Sequence, residues 1–351
     1  MVRKENTLQC LTELKKQSVK GIIKRLLTDR QFFFCRLANP GSRHIGFYSS
    51  SRNTRERVLN THVCGNCPRS QYGKEQHKSM SNDNTPKSNT GKMAPPQPNF
   101  KVDPNPGSHV KKMIAVVSGK GGVGKSSVTA MSALWTSRQG HSVGILDADI
   151  TGPSIPRMFG VTPYDLSANE NTIFPATSVT GIKVMSMNLL MENEEQPVIW
   201  RSPVITGALK QFWTDVAWGD VDYLFVDMPP GTGDVPLTVF QSLPVDGILI
   251  VTTPQDLVSM IVNKAVGMAK MMDVPILGIV ENMSYIKCPH CGEEIHMFGK
   301  SHVEETAAKE GIPVVARIPI DAAMTAACDT GKIEYYSGDF MSGLAEVLPK
   351  I

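Results

Sequence analysis

The 351-residue chain has no stretch approaching the ~20 uninterrupted apolar residues that a membrane-spanning helix needs. It has no secretory signal: no apolar run of the right length follows the first basic residues. It shows no internal repeat, which sets aside solenoid and propeller architectures. Its net charge is only +3, and that small excess is uneven, with thirteen Lys and Arg against four Asp and Glu in residues 1–60. Seven cysteines are an ordinary number. Without a secretory signal, reduced thiols in a cytoplasm-like compartment are the default, so paired cysteines point to metal or redox chemistry rather than to disulfide staples.

What the chain does have is material for a core, at 41% hydrophobic and 20% charged. The basic segment 1–60 reads as a nucleic-acid arm, a targeting segment or an extension with no folded role. Glu5, Glu13 and Asp29 argue against a mitochondrial transit peptide, and a short helix is possible around Leu8–Leu27. Residues 80–110 are rich in Pro, Asn, Ser and Lys and read as a disordered linker. The expected organisation is a basic extension at 1–79, this linker at 80–110, and one folded domain at 111–351. Met80 is read as a natural start.

From Lys111 the texture changes. Apolar runs at 113–119, 142–149, 221–231, 246–254, 274–283 and 312–319 are short, β-branched and bounded by Gly, Pro or Asp. Such runs predict strands buried on both faces, as in a parallel sheet. Helix-length segments at 124–139, 203–214, 255–272 and 301–311 alternate with them. The expected fold is therefore a doubly wound, mostly parallel α/β sheet. In such sheets ligands bind at the carboxyl ends of strands.

The first of those ends reads Gly119-Lys-Gly-Gly-Val-Gly-Lys-Ser126, a full G-x-x-x-x-G-K-[ST] phosphate loop between a strand and a helix. The loop predicts a nucleotide site built from Gly119, Lys120, Gly121, Gly122, Val123, Gly124, Lys125, Ser126 and Ser127. Its backbone N–H groups and the positive helix end favour phosphate oxygens. Lys125 is expected on the β- and γ-phosphates and Ser126 on Mg²⁺. Asp227, closing "YLFVD", is the expected second Mg²⁺ ligand, and Gly231 and Gly233 follow it in a flexible loop. Asp234 reads as the cap of the next helix. Asp147 reads equally as a switch acid or as a loop-bracing carboxylate.

The second lysine, Lys120, makes the loop resemble the deviant Walker A loop of the MinD, ParA and nitrogenase-iron-protein class of P-loop ATPases. That resemblance implies a catalytic Lys120 reaching a partner's nucleotide, hence a homodimer with ATP at its interface. It also implies Asp149 as a switch acid orienting the attacking water or the Mg²⁺ shell, and Asn282 as an adenine contact. The "IPID" run at 318–321 is similar to the class's other base-side loop.

One motif stands apart: "KCPHCGEEIH", residues 287–296. A Cys-x-x-Cys pair supplies half of a four-thiolate or tetrahedral site. Cys288 and Cys291 are completed by His290 or His296 as zinc, by Cys64 and Cys67 of the same chain, or by the same pair of a second copy, enough for a [4Fe–4S] cluster. A redox dithiol is a fourth reading, although such motifs usually open a helix.

In order, "SGKGGVGKSS", "LDADITGPSIPRMFG", "DYLFVDMPPGTGD", "TTPQDL", "ENMSYIKCPHCG" and "IPID" resemble the Mrp/ApbC (Nbp35-type) iron–sulfur cluster carrier ATPases over about residues 95–340. The resemblance implies ATP binding, slow hydrolysis, a homodimer, Cys288 and Cys291 as cluster ligands, and apoproteins as recipients, with no nucleic acid or membrane partner. Cys10, Cys35, Cys64 and Cys67 lack the four-cysteine N-terminal spacing of eukaryotic members, so no second cluster is assigned. The expected compartment is the cytoplasm, with the mitochondrial matrix as alternative. The rival readings are a MinD/ParA-like partitioning ATPase, a nitrogenase-iron-protein-like electron carrier, and the same ATPase with structural zinc. The short, nearly neutral tail "SGDFMSGLAEVLPKI" lacks the basic amphipathic helix of a membrane-bound partitioning ATPase.

Overall fold

The computed structural model describes residues 101–351 except 150–151, 153, 170–171, 192–201, 256–257 and 300. The expected extension at 1–79, its helix, and most of the 80–110 linker lie outside the described residues. The linker boundary falls inside a strand, because β1 (Ser108–Ser118) starts before Lys111. The segment ahead of it is bound as well. Trp213 Nε1 donates to the Val102 carbonyl at 2.9 Å, and the Asn105 amide donates to the Thr214 carbonyl at 3.1 Å.

β1 leads into helix α1 (Lys125–Arg138), β2 (Val143–Asp147) and the short α2 (Ile155–Phe159). A small hairpin, β3 (Ser167–Ala168) and β4 (Ile173–Phe174), precedes β5 (Ala176–Thr177) and β6 (Lys183–Ser186). Then follow α3 (Ser202–Thr214), β7 (Gly219–Asp227), α4 (Asp234–Ser242), β8 (Gly247–Thr252), α5 (Val258–Met272) and β9 (Ile276–Glu281). A second hairpin, β10 (Ile286–Lys287) and β11 (Glu294–Ile295), interrupts the alternation. α6 (Val303–Glu310), β12 (Val314–Arg317), α7 (Ala322–Asp329) and α8 (Leu344–Val347) complete the chain.

The main sheet has the order β12-β9-β8-β1-β7-β2-β6-β5. All neighbours are parallel except β5, which runs antiparallel to β6 at the edge. This is the doubly wound α/β sheet the sequence predicts, with two added strands. β1 lies between β7 and β8, and with helices α1 and α5 packed against it its Met113–Ser118 half is buried on both faces. Pairing sets Asp147 opposite Asp227, and Thr252 opposite Glu281. The register thus collects the polar strand ends on one edge.

Two sequence features explain the packing. Gly144 in β2 leaves room for Trp218 and Leu224, since a Cβ there would fall 2.8 Å from Leu224 Cδ1. Trp218 and Leu224 are consequently fully buried, worth roughly 1.5–3 kcal/mol for the leucine alone. Helix α1 is buried despite a polar composition. Ser132 and Thr136 return their hydroxyls to the Val128 and Ser132 carbonyls at 2.8 Å, which satisfies them within the helix.

Candidate functional site

The loop between β1 and α1 stands at the carboxyl edge of the sheet. Gly122 and Gly124 have φ of 78° and 74°, the left-handed region that side chains disfavour. Around Gly121 and Gly122 there is open space where a Cβ would stand, so an anion can approach the backbone closely. Helix α1 begins at Lys125 with Gly124 as its N-cap and no side-chain cap. Its first-turn N–H groups therefore face the loop with only an external acceptor to satisfy them. Ser118 Oγ donates to the Lys120 carbonyl at 3.0 Å and fixes the loop's entry.

Asp227, at the end of β7, is fully buried and organises the acidic side. It accepts from Lys125 Nζ at 2.8 Å, Ser126 Oγ at 2.5 Å and Thr129 Oγ1 at 2.8 Å. Asp149 Oδ2 lies 3.6 Å from the same Lys125 nitrogen. The structure therefore brings Lys125, Ser126, Asp149 and Asp227 together. A hydroxyl and carboxylates in contact are the hard oxygen donors that Mg²⁺ prefers, and Mg²⁺ needs only one or two of them beside phosphate oxygens and water.

Asp147 is buried next to this cluster and accepts from the Asp149 N–H and Ser186 Oγ, both at 3.2 Å. Burial, then the nearby Asp227 charge, pushes its carboxyl well above the ordinary range, with Lys125 opposing. Between its two sequence readings, the contacts are those of a loop-bracing carboxylate. Asp234 is the first residue of α4 and does not cap it; Gly233 holds the cap position. Its charge instead favours the positive helix end from within the first turn.

Asn282 follows β9 and is buried against the loop. Its Nδ2 donates to the Val123 carbonyl at 2.9 Å, while its Oδ1 is buried without a partner. A bracing role in the loop is therefore visible, beside one orphaned acceptor. Lys120 hydrogen-bonds Gln255 after β8 within its own chain.

The second cluster is the hairpin β10–β11. Cys288 N–H donates to the Glu293 carbonyl and Gly292 N–H to the Cys288 carbonyl, both at 2.9 Å. Gly292 turns the chain with φ 77°. Cys288 is half-buried and Cys291 exposed, both as free thiols. The N–H groups of Cys291 and His290 hold the Cys288 thiol below its ordinary pKa, so the thiolate is favoured. The pair lies at the tip of a strand hairpin and not at the helix start that a redox dithiol usually opens. His296 turns toward Glu294 at 3.9 Å and packs its ring edge-on to Tyr285. Among the described residues, no three or more His, Cys, Asp or Glu side chains are placed to hold a metal ion. Cys64 and Cys67 lie outside the described residues.

With this geometry, a family model described as ParA, the NUBPL iron-transfer P-loop NTPase, matches residues 109–350. The chain belongs to that family. An iron-sulfur cluster carrier protein of Clostridium perfringens is 48% identical over 235 residues, covering 65% of this chain and 82% of the relative. One of Methanocaldococcus jannaschii is 47% identical over 225 residues, 64% and 78% of the two chains. A solved nucleotide-binding protein from Archaeoglobus fulgidus, in complex with ADP and with cobalt found in it, shares 44% identity and superimposes with a TM-score of 0.60. It covers 66% of this chain and 91% of that one.

Family membership makes this a P-loop NTPase of the iron-transfer type. Two contributors escape a reading by motif. Thr129 lies one turn beyond Lys125, and its hydroxyl stands 2.8 Å from Asp227 Oδ1 and 3.0 Å from the Lys125 carbonyl, with its one proton shared between them. The i+4 spacing of a buried threonine after the phosphate-loop lysine was the available signal. Gln255, in the "TTPQDL" string, meets Lys120, and nothing in its sequence spacing marks it.

Proposed function

We propose that the protein is an ATP-dependent iron–sulfur cluster carrier. It binds ATP and Mg²⁺ at the phosphate loop, hydrolyses ATP slowly, and holds a [4Fe–4S] cargo between Cys288 and Cys291 of two copies for delivery to apoproteins. The observation that carries the reading is an accessible pair of thiols, one of them favouring thiolate, with no third ligand from the described residues. Two thiolates leave such a cargo half-ligated, and a second copy supplies the rest. The names of the relatives support the same cargo.

At the nucleotide, backbone N–H groups of Gly121–Ser126 and Lys125 hold the phosphates. Lys125 exchanges its contact with Asp227 for phosphate oxygens. Ser126 and Asp227 would hold Mg²⁺, which supplies charge neutralisation on the β- and γ-phosphates when bound. Asp149 orients the attacking water. Lys120 leaves Gln255 to reach the partner's nucleotide, and Asn282 Oδ1, an orphan acceptor in the described chain, receives the adenine amino group. The reading puts the protein in the cytoplasm, where accessible thiols stay reduced. Among the described residues, no helix is long and apolar enough to cross a membrane.

The test is anaerobic reconstitution with iron and sulfide, measuring iron, acid-labile sulfide and oligomer mass for wild type and Cys288→Ala. A dimer with sulfide, lost in the variant, is expected. Zinc without sulfide in the wild type would refute the carrier reading. Lys125→Ala should lose nucleotide binding, and unchanged ATP affinity would undo the phosphate-loop assignment.

A further inference from the structure

Glu281 ends β9 and is fully buried, yet no role above uses it. Its two carboxylate oxygens are divided. Oε2 accepts from Ser284 Oγ at 2.5 Å, and Oε1 accepts from Ser301 Oγ at 2.5 Å. Ser284 lies two residues before the cysteine hairpin, and Ser301 six residues after it. One carboxylate thus holds both the segment that enters the hairpin and the segment that leaves it.

Arg317, at the end of β12, compensates the charge. Its Nε lies 3.5 Å from Glu281 Oε2 and donates to Ser284 Oγ at 3.2 Å, and its guanidinium stands 6.0 Å from the Tyr285 ring centroid. Backbone bonds reinforce the entry foot: Ser284 N–H donates to the Ile318 carbonyl and Ile320 N–H to the Tyr285 carbonyl, both at 2.8 Å. The exit foot is fixed into α6, where Ser301 Oγ accepts from the Val303 N–H at 3.1 Å. On its other side, Glu281 is joined to Asn282, whose amide holds the Val123 carbonyl of the phosphate loop.

A displacement of the loop at Val123 pulls on Asn282 and hence on the end of β9. Because the segments entering and leaving the hairpin both bond to one buried carboxylate there, such a displacement reaches the thiol pair from both sides. We propose that Glu281 is a positioning residue that transmits the state of the nucleotide loop to Cys288 and Cys291. The inference rests on the nucleotide and thiol-pair readings above.

The test uses the full-length, cluster-free protein under anaerobic conditions. The rate of iodoacetamide alkylation at Cys288 and Cys291 is read by peptide mass spectrometry, with and without a non-hydrolysable ATP analogue and Mg²⁺. In wild type the nucleotide should change the rate several-fold. Residues that carry coupling alter it by about 2- to 30-fold, and Glu281→Gln should move the ratio toward one within that range, at unchanged nucleotide affinity. Simple loosening of the hairpin would raise both rates and leave their ratio intact. If Glu281→Gln fails to fold, Ser301→Ala, which frees only the exit foot, is judged by the same ratio. A wild-type ratio of one, or a variant with the wild-type ratio, overturns the inference. Iron and sulfide loading of the same samples is read separately: nucleotide-sensitive thiols without sulfide binding would refute the carrier reading and leave this link standing.

Discussion

Gly124→Ala is the most searching perturbation of the nucleotide loop. Gly124 has φ of 74°, and a Cβ built there would stand 2.2 Å from Asn282 Nδ2. Holding alanine in the left-handed region costs about 1–2 kcal/mol. The Asn282 amide must also rotate away, which breaks its 2.9 Å bond to the Val123 carbonyl, a loss of about 0.5–1.5 kcal/mol. The expected destabilisation is therefore roughly 1.5–3.5 kcal/mol, read as a lower urea midpoint at unchanged slope. Asn282→Ala alone removes the same hydrogen bond. In the double variant the clash is gone and the bond is lost only once, so the two costs should sum to more than the measured total. A coupling of about 0.5 kcal/mol or more is the range for residues in direct contact. Strict additivity, or a Gly124→Ala cost below about 1 kcal/mol, would refute the account of why glycine is required there.

Thr129→Val withdraws one of three donors from the buried Asp227 carboxylate; the expected cost is about 1.5–3 kcal/mol in urea unfolding, and a neutral change would show that Lys125 and Ser126 suffice. Asp147→Asn tests the raised carboxyl. A folded-state pKa above the unfolded value lowers stability as pH rises past about 4, so the melting temperature of the variant should exceed wild type near neutrality, with the gap closing toward pH 4. A pH-independent gap would show that Asp147 is charged in the fold. Alkylation of Cys288 should persist below the pH at which an ordinary thiol, with pKa about 8.5, stops reacting, because the Cys291 and His290 N–H groups stabilise its thiolate; a midpoint at or above that value would contradict the hairpin-tip N–H contacts.

The strands that sequence reveals are those buried on both faces. β1, β2, β7, β8 and β9 are continuous apolar runs; β1, β2, β8 and β9 end within two residues of the expected end, and β7 ends four residues before it. β5 and β6 were invisible because two and four residues carry no periodicity, and β6 is cut short by Ser186 and the turn that follows. Helix α4 carries Pro236 in its first turn, which reads locally as a break although the first turn tolerates it. The expected linker runs past the true start of the fold because the polar composition of 101–110 is all that its local sequence offers. Its order comes from Trp213 and Thr214, more than a hundred residues away.

The same distinction separates the legible and illegible parts of the site. The phosphate loop is contiguous, so eight residues announce it. Asp227 is legible because an acid closing an apolar strand is conspicuous. Glu281 closes an apolar strand just as Asp227 does, yet its meaning depends on partners three, twenty and thirty-six residues onward, split between two segments and a neighbouring strand. Placed one residue before Asn282, it makes the end of β9 the point where loop and thiol pair meet. An inserted hairpin needs no separate domain to sense nucleotide if both its feet are anchored at a strand end that already touches the loop. That economy explains why five residues suffice between Asn282 and Cys288.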